Sequence, residues 1–419
     1  MTDIFDELQW RGLVAQSTDE AALRSALSEG PVTYYAGFDP TAQSLHVGHL
    51  VQILTMRRFQ QAGHRPLALV GGATGLIGDP RPTTERSLQS REVVEGWVAR
   101  IRGQIEPYLE FEGPAAARMV NNLDWTGPLG TIEFLRDVGR HYRLGTMLAK
   151  DIVARRLSSE EGISFTEFSY QILQGMDFRQ LYREHGCTLQ IGGNDQWGNL
   201  LSGVELIRKS EGVAVHALTT PLITKSDGTK MGKSEGGAVW LDPDMTSPYA
   251  FYQFWLNQAD ADVVNYLKVF TFRSQEEIAE LEREVAERPF AREAQKALAG
   301  DLTTLVHGAA ATEAVIAASQ ALFGRGELGG LDERTLAGAV SELPRVTAKA
   351  GDLVVDLLAG SGIVASKGEA RRAVKEGGAY VNNVKVTAED QALTTEDLLH
   401  GRFAVLRRGK KTLAVATSE

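Results

Sequence analysis

Two rhythms of apolar residues alternate along the first 220 positions. Short apolar runs at Val32–Phe38, Pro66–Val70, Ala117–Val120 and Thr188–Ile191 read as buried strands. Between them lie stretches of helical spacing. Val47, Leu50, Val51 and Leu54 share one face, with Gly63 as the stop, and Glu92–Leu109, Phe165–Tyr182 and Gln196–Arg208 follow the same period. Ser17-Thr18-Asp19-Glu20 reads as a capping box before a short helix that Gly30 ends. Strands alternating with helices predict an α/β fold, a parallel sheet covered by helices on both faces.

The pattern changes at Pro248. From there to about Phe323 the chain is rich in Ala, Glu and Leu without a strand signal, which predicts an all-α domain. Glycines cluster at Gly324–Gly330, and Pro344–Gly351 is a second break. Beyond it a helix over Gly368–Lys375 mixes with strands over Tyr380–Val386 and Phe403–Leu406, a small α+β domain. The expected plan is 1–248 for the α/β domain, with a loop region at about 221–248, then 249–330 helical, 331–351 linker and 352–419 a tail domain.

Composition narrows this picture. The chain is 43% hydrophobic and 23% charged, which excludes a disordered or collagen-like polymer. Its longest apolar-leaning stretch, Leu67–Gly78, is broken by glycines and too short to span a membrane, so no membrane partner is expected. An N-terminus that is acidic at once resembles neither a secretory signal nor a transit peptide. The single Cys187 can form neither an internal disulfide nor a cysteine zinc site, and a reducing cytoplasm fits. Net charge is −10, yet residues 352–419 hold 10 Lys+Arg against 9 Asp+Glu, so the acidic excess lies elsewhere. Basic clusters at Arg371, Arg372, Lys375 and at Arg407, Arg408, Lys410, Lys411 suit either an anion-binding module or an ordinary solvated face.

Five segments carry candidate chemistry. Gly37-Phe38-Asp39-Pro40-Thr41 leads from a strand to His46-Val47-Gly48-His49 at a helix start, where free N–H groups favour phosphate. Imidazoles at i and i+3 point the same way and can donate to a phosphate gaining charge. As a metal pair they lack a third ligand, so no metal is expected; a surface pair without a role stays open. Gly228-Thr229-Lys230-Met231-Gly232-Lys233-Ser234 approaches the P-loop pattern, but its glycines are one residue too close and Glu235-Gly236-Gly237 follows instead of a helix. What remains is a Gly-flanked loop with two lysines, able to close over a polyphosphate or to be a solvated basic turn. Gly71-Gly72-Ala73-Thr74-Gly75-Leu76-Ile77-Gly78-Asp79 follows the second strand without the dinucleotide spacing, and its glycines can let Asp79 reach a cleft floor. Tyr170, Gln174 and Asp177 share one face of a helix; spacing leaves open whether that face looks inward. Asp195 and Gln196 open another helix after a strand, again a ligand position.

Together, residues 33–49, 66–79, 164–178, 189–200 and 221–235 resemble the bacterial tyrosyl-tRNA synthetases, a branch of the class I aminoacyl-tRNA synthetases. His46-Val47-Gly48-His49 is similar to that family's HIGH signature and Lys230-Met231-Gly232-Lys233-Ser234 to its KMSKS signature. The resemblance implies a Rossmann-like catalytic domain, a helical anticodon-arm domain and an S4-like RNA-binding tail. It implies activation of L-tyrosine by ATP with Mg²⁺, transfer to tRNA(Tyr), no tightly bound cofactor, and a homodimer. Tyr35 and Asp177 would meet the substrate's phenol. Asp79, Tyr170 and Gln174 would hold its ammonium group, and Gln196 its carboxylate. Asp195 would bind the ATP ribose, Gly48, Leu222 and Ile223 would border adenine, and Gly37 and Asp39 would lie at the α-phosphate. His46, His49, Lys230 and Lys233 would serve the leaving pyrophosphate, and Lys233 and Ser234 would bind ATP. Arg371, Arg372, Lys375, Arg407, Arg408 and Lys410 would face RNA.

This sequence departs from the family pattern at Ala36, which cannot hydrogen-bond a ribose, and at Gln52, where a small residue is common. It departs again after Asp79, where Arg81 or Arg86 stands in for a lysine. A tryptophan-specific relative, or a P-loop-type nucleotide-binding protein with an RNA-binding tail, is the competing expectation.

Overall fold

Every strand expected in the first 220 residues forms within a residue or two of its expected bounds. The computed structural model describes residues 3–81, 87–234, 237–324 and 326–418, without the side chains of Asp151, Lys233 and Ser234. Strands β1 (Gln16–Ser17), β2 (Thr33–Phe38), β3 (Arg65–Val70), β4 (Arg118–Asn121), β5 (Cys187–Gly193) and β6 (His216–Thr220) form one sheet in the order β1-β6-β5-β2-β3-β4. All neighbours are parallel except β1, an antiparallel edge on β6. A small antiparallel ribbon, β7 (Lys233–Ser234) with β8 (Gly237–Ala238), stands apart from this sheet.

The connections are helical: α1 (Val47–Gln61) joins β2 to β3, α2 (Arg91–Ile105) lies between β3 and β4, α3 (Phe165–His185) precedes β5, and α4 (Trp197–Glu211) joins β5 to β6. Tyr34, Tyr35, Ala36, Ala68, Leu69 and Leu189 are all buried, because helices cover both faces and the central strands show no alternation. From β2 the chain winds to one side through β3 and β4, then returns to fill β5 and β6 on the other. The order therefore reverses between β2 and β5, and a crevice opens at their carboxyl ends. Helix α5 (Asp260–Phe270) and the helix Gln275–Glu287 belong to this same unit, which comprises residues 1–242 and 259–286. Two buried guanidinium groups cap the carbonyls at the end of α5: Arg11 donates to the carbonyls of Lys268, Thr271 and Arg273, and Arg58 to those of Val269 and Thr271.

The second unit comprises residues 243–258 and 287–419. The helical run expected over 249–330 is thus divided between the two units. Here β9 (Arg345–Thr347), β10 (Ala379–Val381), β11 (Val384–Lys385), β12 (Phe403–Arg408) and β13 (Thr412–Thr417) form a sheet in the order β11-β10-β12-β13-β9. Tyr380–Val386, expected as one strand, is a hairpin whose two-residue turn puts Asn382 and Asn383 at φ 46° and 68°. Residues 331–351, expected as a linker, carry the helix Glu333–Ala339 and strand β9, which pairs in parallel with β13. One face of β12 and β13 (Ala404, Leu406, Ala414, Ala416) packs with the helices Val354–Gly360 and Lys367–Lys375. The other (Phe403, Val405, Leu413, Val415) packs with Ala318, Leu322, Leu336 and Val340. Among the described residues no helix is long and apolar enough to cross a membrane.

Candidate active site

The crevice at the ends of β2 and β5 is a cleft of about 510 Å³. Tyr35, Gly37, Asp39, His46, Gly48, His49, Asp79, Tyr170, Gln174, Asp177, Asp195, Gln196, Leu222, Ile223 and Lys230 all line it. The fold thus gathers five segments, far apart in sequence, around one cavity. The basic residues of the tail belong to the second unit.

The floor is built around Asp177. Burial pushes its carboxyl up to about 7, against the lowering effect of two hydrogen bonds, from Asn122 Nδ2 at 3.0 Å and Trp125 Nε1 at 2.8 Å. The polar face of α3 therefore looks inward. Beside it the Tyr35 hydroxyl is buried without a hydrogen-bond partner, and burial raises its pKa far above the usual phenol value. Gln174 Oε1 and Gln190 Oε1 are also buried and unpartnered. Gln190 pairs with Tyr35 in register across β5 and β2. Each unmet buried polar atom costs about 1–3 kcal/mol until something pairs with it. The site is thus prepared for a ligand that brings polar groups to its floor.

One wall is a carboxylate network. Asp39 accepts from Thr74 Oγ1 at 2.6 Å and from the Tyr170 hydroxyl at 2.6 Å. A Cβ on Gly71 would overlap both Asp39 and Thr74, so this pair requires a glycine there. Asp79 accepts from Gln196 Nε2 at 2.9 Å and Asn199 Nδ2 at 3.0 Å. Lys150, partly buried near Asp79, donates to the Gly198 carbonyl at 2.7 Å, and burial lowers its pKa to about 8.

The opposite wall is the start of α1. His46 caps the helix through Nδ1, which accepts from Gly48 N at 3.0 Å, while His49 Nδ1 accepts from His46 N at 3.2 Å. With both Nδ1 atoms accepting, each neutral ring carries its proton on Nε2. Burial, helped by His46, pushes the His49 pKa down to about 3, so its ring is neutral at physiological pH. The rings lie 4.0 Å apart. The flat ring that Gly48 admits is that of His46 itself: a Cβ there would fall 2.8 Å from the ring. Among the described residues no third metal-ligating side chain joins this pair.

Lys230 reaches the cleft from a hairpin. Thr224 bridges Lys230, Met231 N donates to Ile223 O, and a turn over Lys225–Thr229 closes the tip. Beyond it Val239 N donates to Gly232 O and Val47 N to Val239 O, so the segment docks on the start of α1. Lys233 and Ser234 form strand β7, not the helix that a P-loop needs, and their side chains lie outside the described residues, as does Arg86. Arg81 is exposed, and Ala36 is buried within β2. Gln52 donates to Thr220 Oγ1 at 2.5 Å.

In the tail Arg371, Arg372, Lys375, Arg408 and Lys410 are exposed. Arg407 is not: it is buried, with its guanidinium 3.9 Å from the centroid of the Tyr380 ring, its cross-strand partner. That stack corrects its expected place on an RNA-facing surface.

Asn122, Trp125, Gln190, Asn199 and Lys150 went unmarked in the sequence, and Thr74 stood only as a member of the glycine run. Asn122 directly follows β4, where the carboxyl-end rule could have flagged it. Gln190 lies within a strand expected to be apolar, a signal in itself. Lys150 had none.

Comparison with known proteins gives consistent findings. Residues 27–324 match the family described as tRNA synthetases class I (W and Y). Residues 335–416 match the tyrosine–tRNA ligase SYY-like C-terminal domain. The chain is 69% identical over 415 residues to the tyrosine–tRNA ligase of Streptomyces coelicolor, covering 99% of this chain and 98% of that protein. It is 58% identical over 418 residues to that of a Mycobacterium species, covering 99% of each. A C-terminally truncated mitochondrial tyrosyl-tRNA synthetase from Aspergillus nidulans has a TM-score of 0.69 at 32% identity, over 75% of this chain and 92% of its own. A tryptophan-bound tryptophanyl-tRNA synthetase from Encephalitozoon cuniculi, at 14% identity and a TM-score of 0.56 over 74% of this chain and 87% of its own, shares the fold.

Proposed function

Because this chain belongs to the class I tRNA synthetases of the tryptophan and tyrosine group, we propose that its cleft activates L-tyrosine with ATP and passes it to tRNA(Tyr). The observation that carries the choice of tyrosine is the buried, unpartnered Tyr35 hydroxyl lining the same floor as buried Asp177. A phenol supplies both a donor for the carboxylate and an acceptor for Tyr35. Phenylalanine leaves both unmet, and tyrosyl-tRNA synthetases are themselves the standard example of rejection on this ground.

The remaining roles follow the charges. Asp79, Tyr170 and Gln174 hold the substrate's ammonium, with Asp39 behind Tyr170, and Gln196 steers its carboxylate. That carboxylate attacks the α-phosphorus of ATP in line, near Gly37 and Asp39. The bond to the β-phosphate oxygen breaks, giving tyrosyl-adenylate and pyrophosphate. His46, His49, Lys230 and Lys233 bear the charge that builds on the leaving group, and Ser234 belongs to the ATP-binding set. Neutral imidazoles do this as N–H donors, so the cationic work falls to the lysines. Asp195 takes the ribose; Gly48, Leu222 and Ile223 border adenine; Mg²⁺ arrives with ATP. A ribose hydroxyl of the terminal tRNA adenosine then attacks the tyrosyl carbonyl and AMP leaves. The chemistry is positioning and charge stabilisation, with no covalent enzyme intermediate.

The domain roles are part of the same reading: catalysis in 1–248, anticodon-arm contact in 249–330, and S4-like RNA binding in 352–419, through Arg371, Arg372, Lys375, Arg408 and Lys410. A homodimer in the cytoplasm fits. Ile132, Leu135, Leu144, Leu148, Leu157 and Phe165 are 40–75% exposed within a short stretch, more apolar surface than a lone subunit normally shows to water. The test is ATP–pyrophosphate exchange with each of the twenty amino acids. Tyrosine alone should support it; exchange with tryptophan, or ATP hydrolysis needing no amino acid, overturns the reading.

A further inference from the structure

Helix α5 touches both phosphate-facing elements of the site without lining the cleft. At its start Asp262, 7% exposed, accepts from Ser226 N at 2.8 Å. One turn on, the buried Tyr266 hydroxyl donates to the Thr224 carbonyl at 3.4 Å. Thr224 lies on one arm of the hairpin and Ser226 in the turn at its tip, the other arm carries Lys230, and Thr224 is bridged directly to Lys230. At its far end α5 presents carbonyls to Arg58, a residue of α1, whose first turn holds His46 and His49. Arg58 is 4% exposed and donates to Val269 O at 2.9 Å and Thr271 O at 2.7 Å.

The polarity of these contacts suits a rigid connector. A carboxylate stands at the helix's positive end and holds a loop N–H, and a guanidinium stands at its negative end and holds its carbonyls. Eleven residues of helix span about 16 Å. A buried carboxylate is costly unless it is bonded, and among the described residues the backbone N–H of Ser226 is the bond the structure gives it. We infer that α5 is a strut that sets the Lys230 hairpin relative to the His46–His49 turn, and that Asp262 is a positioning residue for Lys230. It touches no reacting atom and acts through the hairpin.

This inference rests on the reading of Lys230 as a pyrophosphate ligand, and the experiment separates the two. Pyrophosphate exchange and equilibrium tyrosine binding are measured on the full chain for Asp262→Ala, Asp262→Asn, Tyr266→Phe, Lys230→Ala and the Asp262→Ala/Lys230→Ala pair. Asp262→Ala should lower kcat about tenfold or more, as expected when a reacting group is displaced by an ångström. Tyrosine affinity should stay within about twofold, because α5 does not line the cleft. Tyr266→Phe should act in the same direction but less. Asp262→Asn keeps an acceptor oxygen for Ser226 N and should retain most of the rate. In the Lys230→Ala background Asp262→Ala should add no further loss, because its effect passes through the missing lysine. Fully additive losses, or a lowered melting temperature with unchanged kcat, overturn the strut while leaving the site reading intact. Absence of tyrosine-dependent exchange in the unaltered chain overturns both.

Discussion

The hydroxyl of Tyr170 donates to Asp39 Oδ2 at 2.6 Å, tying α3 to the loop that leaves β2. The same carboxylate is held on its other oxygen by Thr74. On the proposed reading Tyr170 would meet the substrate's ammonium group while it already orients a second acid. Tyr170→Phe should weaken tyrosine binding by about 1–3 kcal/mol, the range for losing one partner of a buried polar pair. Thr74→Ala should reproduce part of the loss. Equilibrium dialysis with labelled tyrosine reads both, and unchanged affinity in both variants counts against the network.

Tyr35→Phe should move stability and selectivity in opposite directions. The hydroxyl is buried and unmet in the free protein, so deleting it removes an unsatisfied group and should raise or preserve the melting temperature. Discrimination between tyrosine and phenylalanine in pyrophosphate exchange should fall. A variant that is clearly destabilised yet fully selective contradicts the assignment of that hydroxyl to the ligand.

Asp177 gives a pH signature. Its carboxyl titrates at about 7 in the fold, against about 4 in an unfolded chain, so the folded state holds the proton more tightly. The stability tied to the protonated form is complete below about pH 4 and is lost as pH rises through about 7. Asp177→Asn removes this limb. Thermal melts of the ligand-free proteins between about pH 5 and 8 should show the unaltered chain losing ground to the variant. A constant difference across that window argues against a buried, proton-retaining carboxyl.

Neutralising tail charges should separate the two half-reactions. Arg371, Arg372 and Lys410 are exposed and belong to the second unit, whereas the cleft is built from the first. Their replacement by alanine should leave adenylate formation near normal while tRNA affinity drops and its salt dependence flattens, each lost phosphate contact lowering the slope by about one. Point changes are the proper probe. Deleting 352–419 strips Phe403, Val405, Leu413 and Val415 from the helices they cover, so such a truncation tests folding as much as RNA binding.

The legible parts of the sequence were those with local causes. The strand ends at Phe38, Val70 and Gly193 each carry a motif at the place an open parallel sheet puts ligands. What went unread depends on partners distant in sequence. Strand β6 is only His216–Thr220, with two threonines that are buried in the fold. Trp125 gains its meaning from Asp177, 52 residues later. In the tail, β12 was legible over Phe403–Leu406 but β13 was not: it is buried on both faces, so no period-two pattern marks it, and the break at Pro344–Gly351 hid a strand completed only by β13. Arg407 sits in a basic run yet turns onto Tyr380, because cross-strand register decides the direction of a strand residue and charge does not.

The main sheet ends, on its β6 side, in a strand two residues long. Gln16 and Ser17 pair with Thr219 and Leu218 and cover part of an otherwise open ladder of amide and carbonyl groups. Self-association of this protein under heat or dilute denaturant is accordingly expected to begin there. Once the N-terminal arm peels away, β6 becomes a template on which another chain can dock, and a fusion or tag that tugs on that arm invites the same fate.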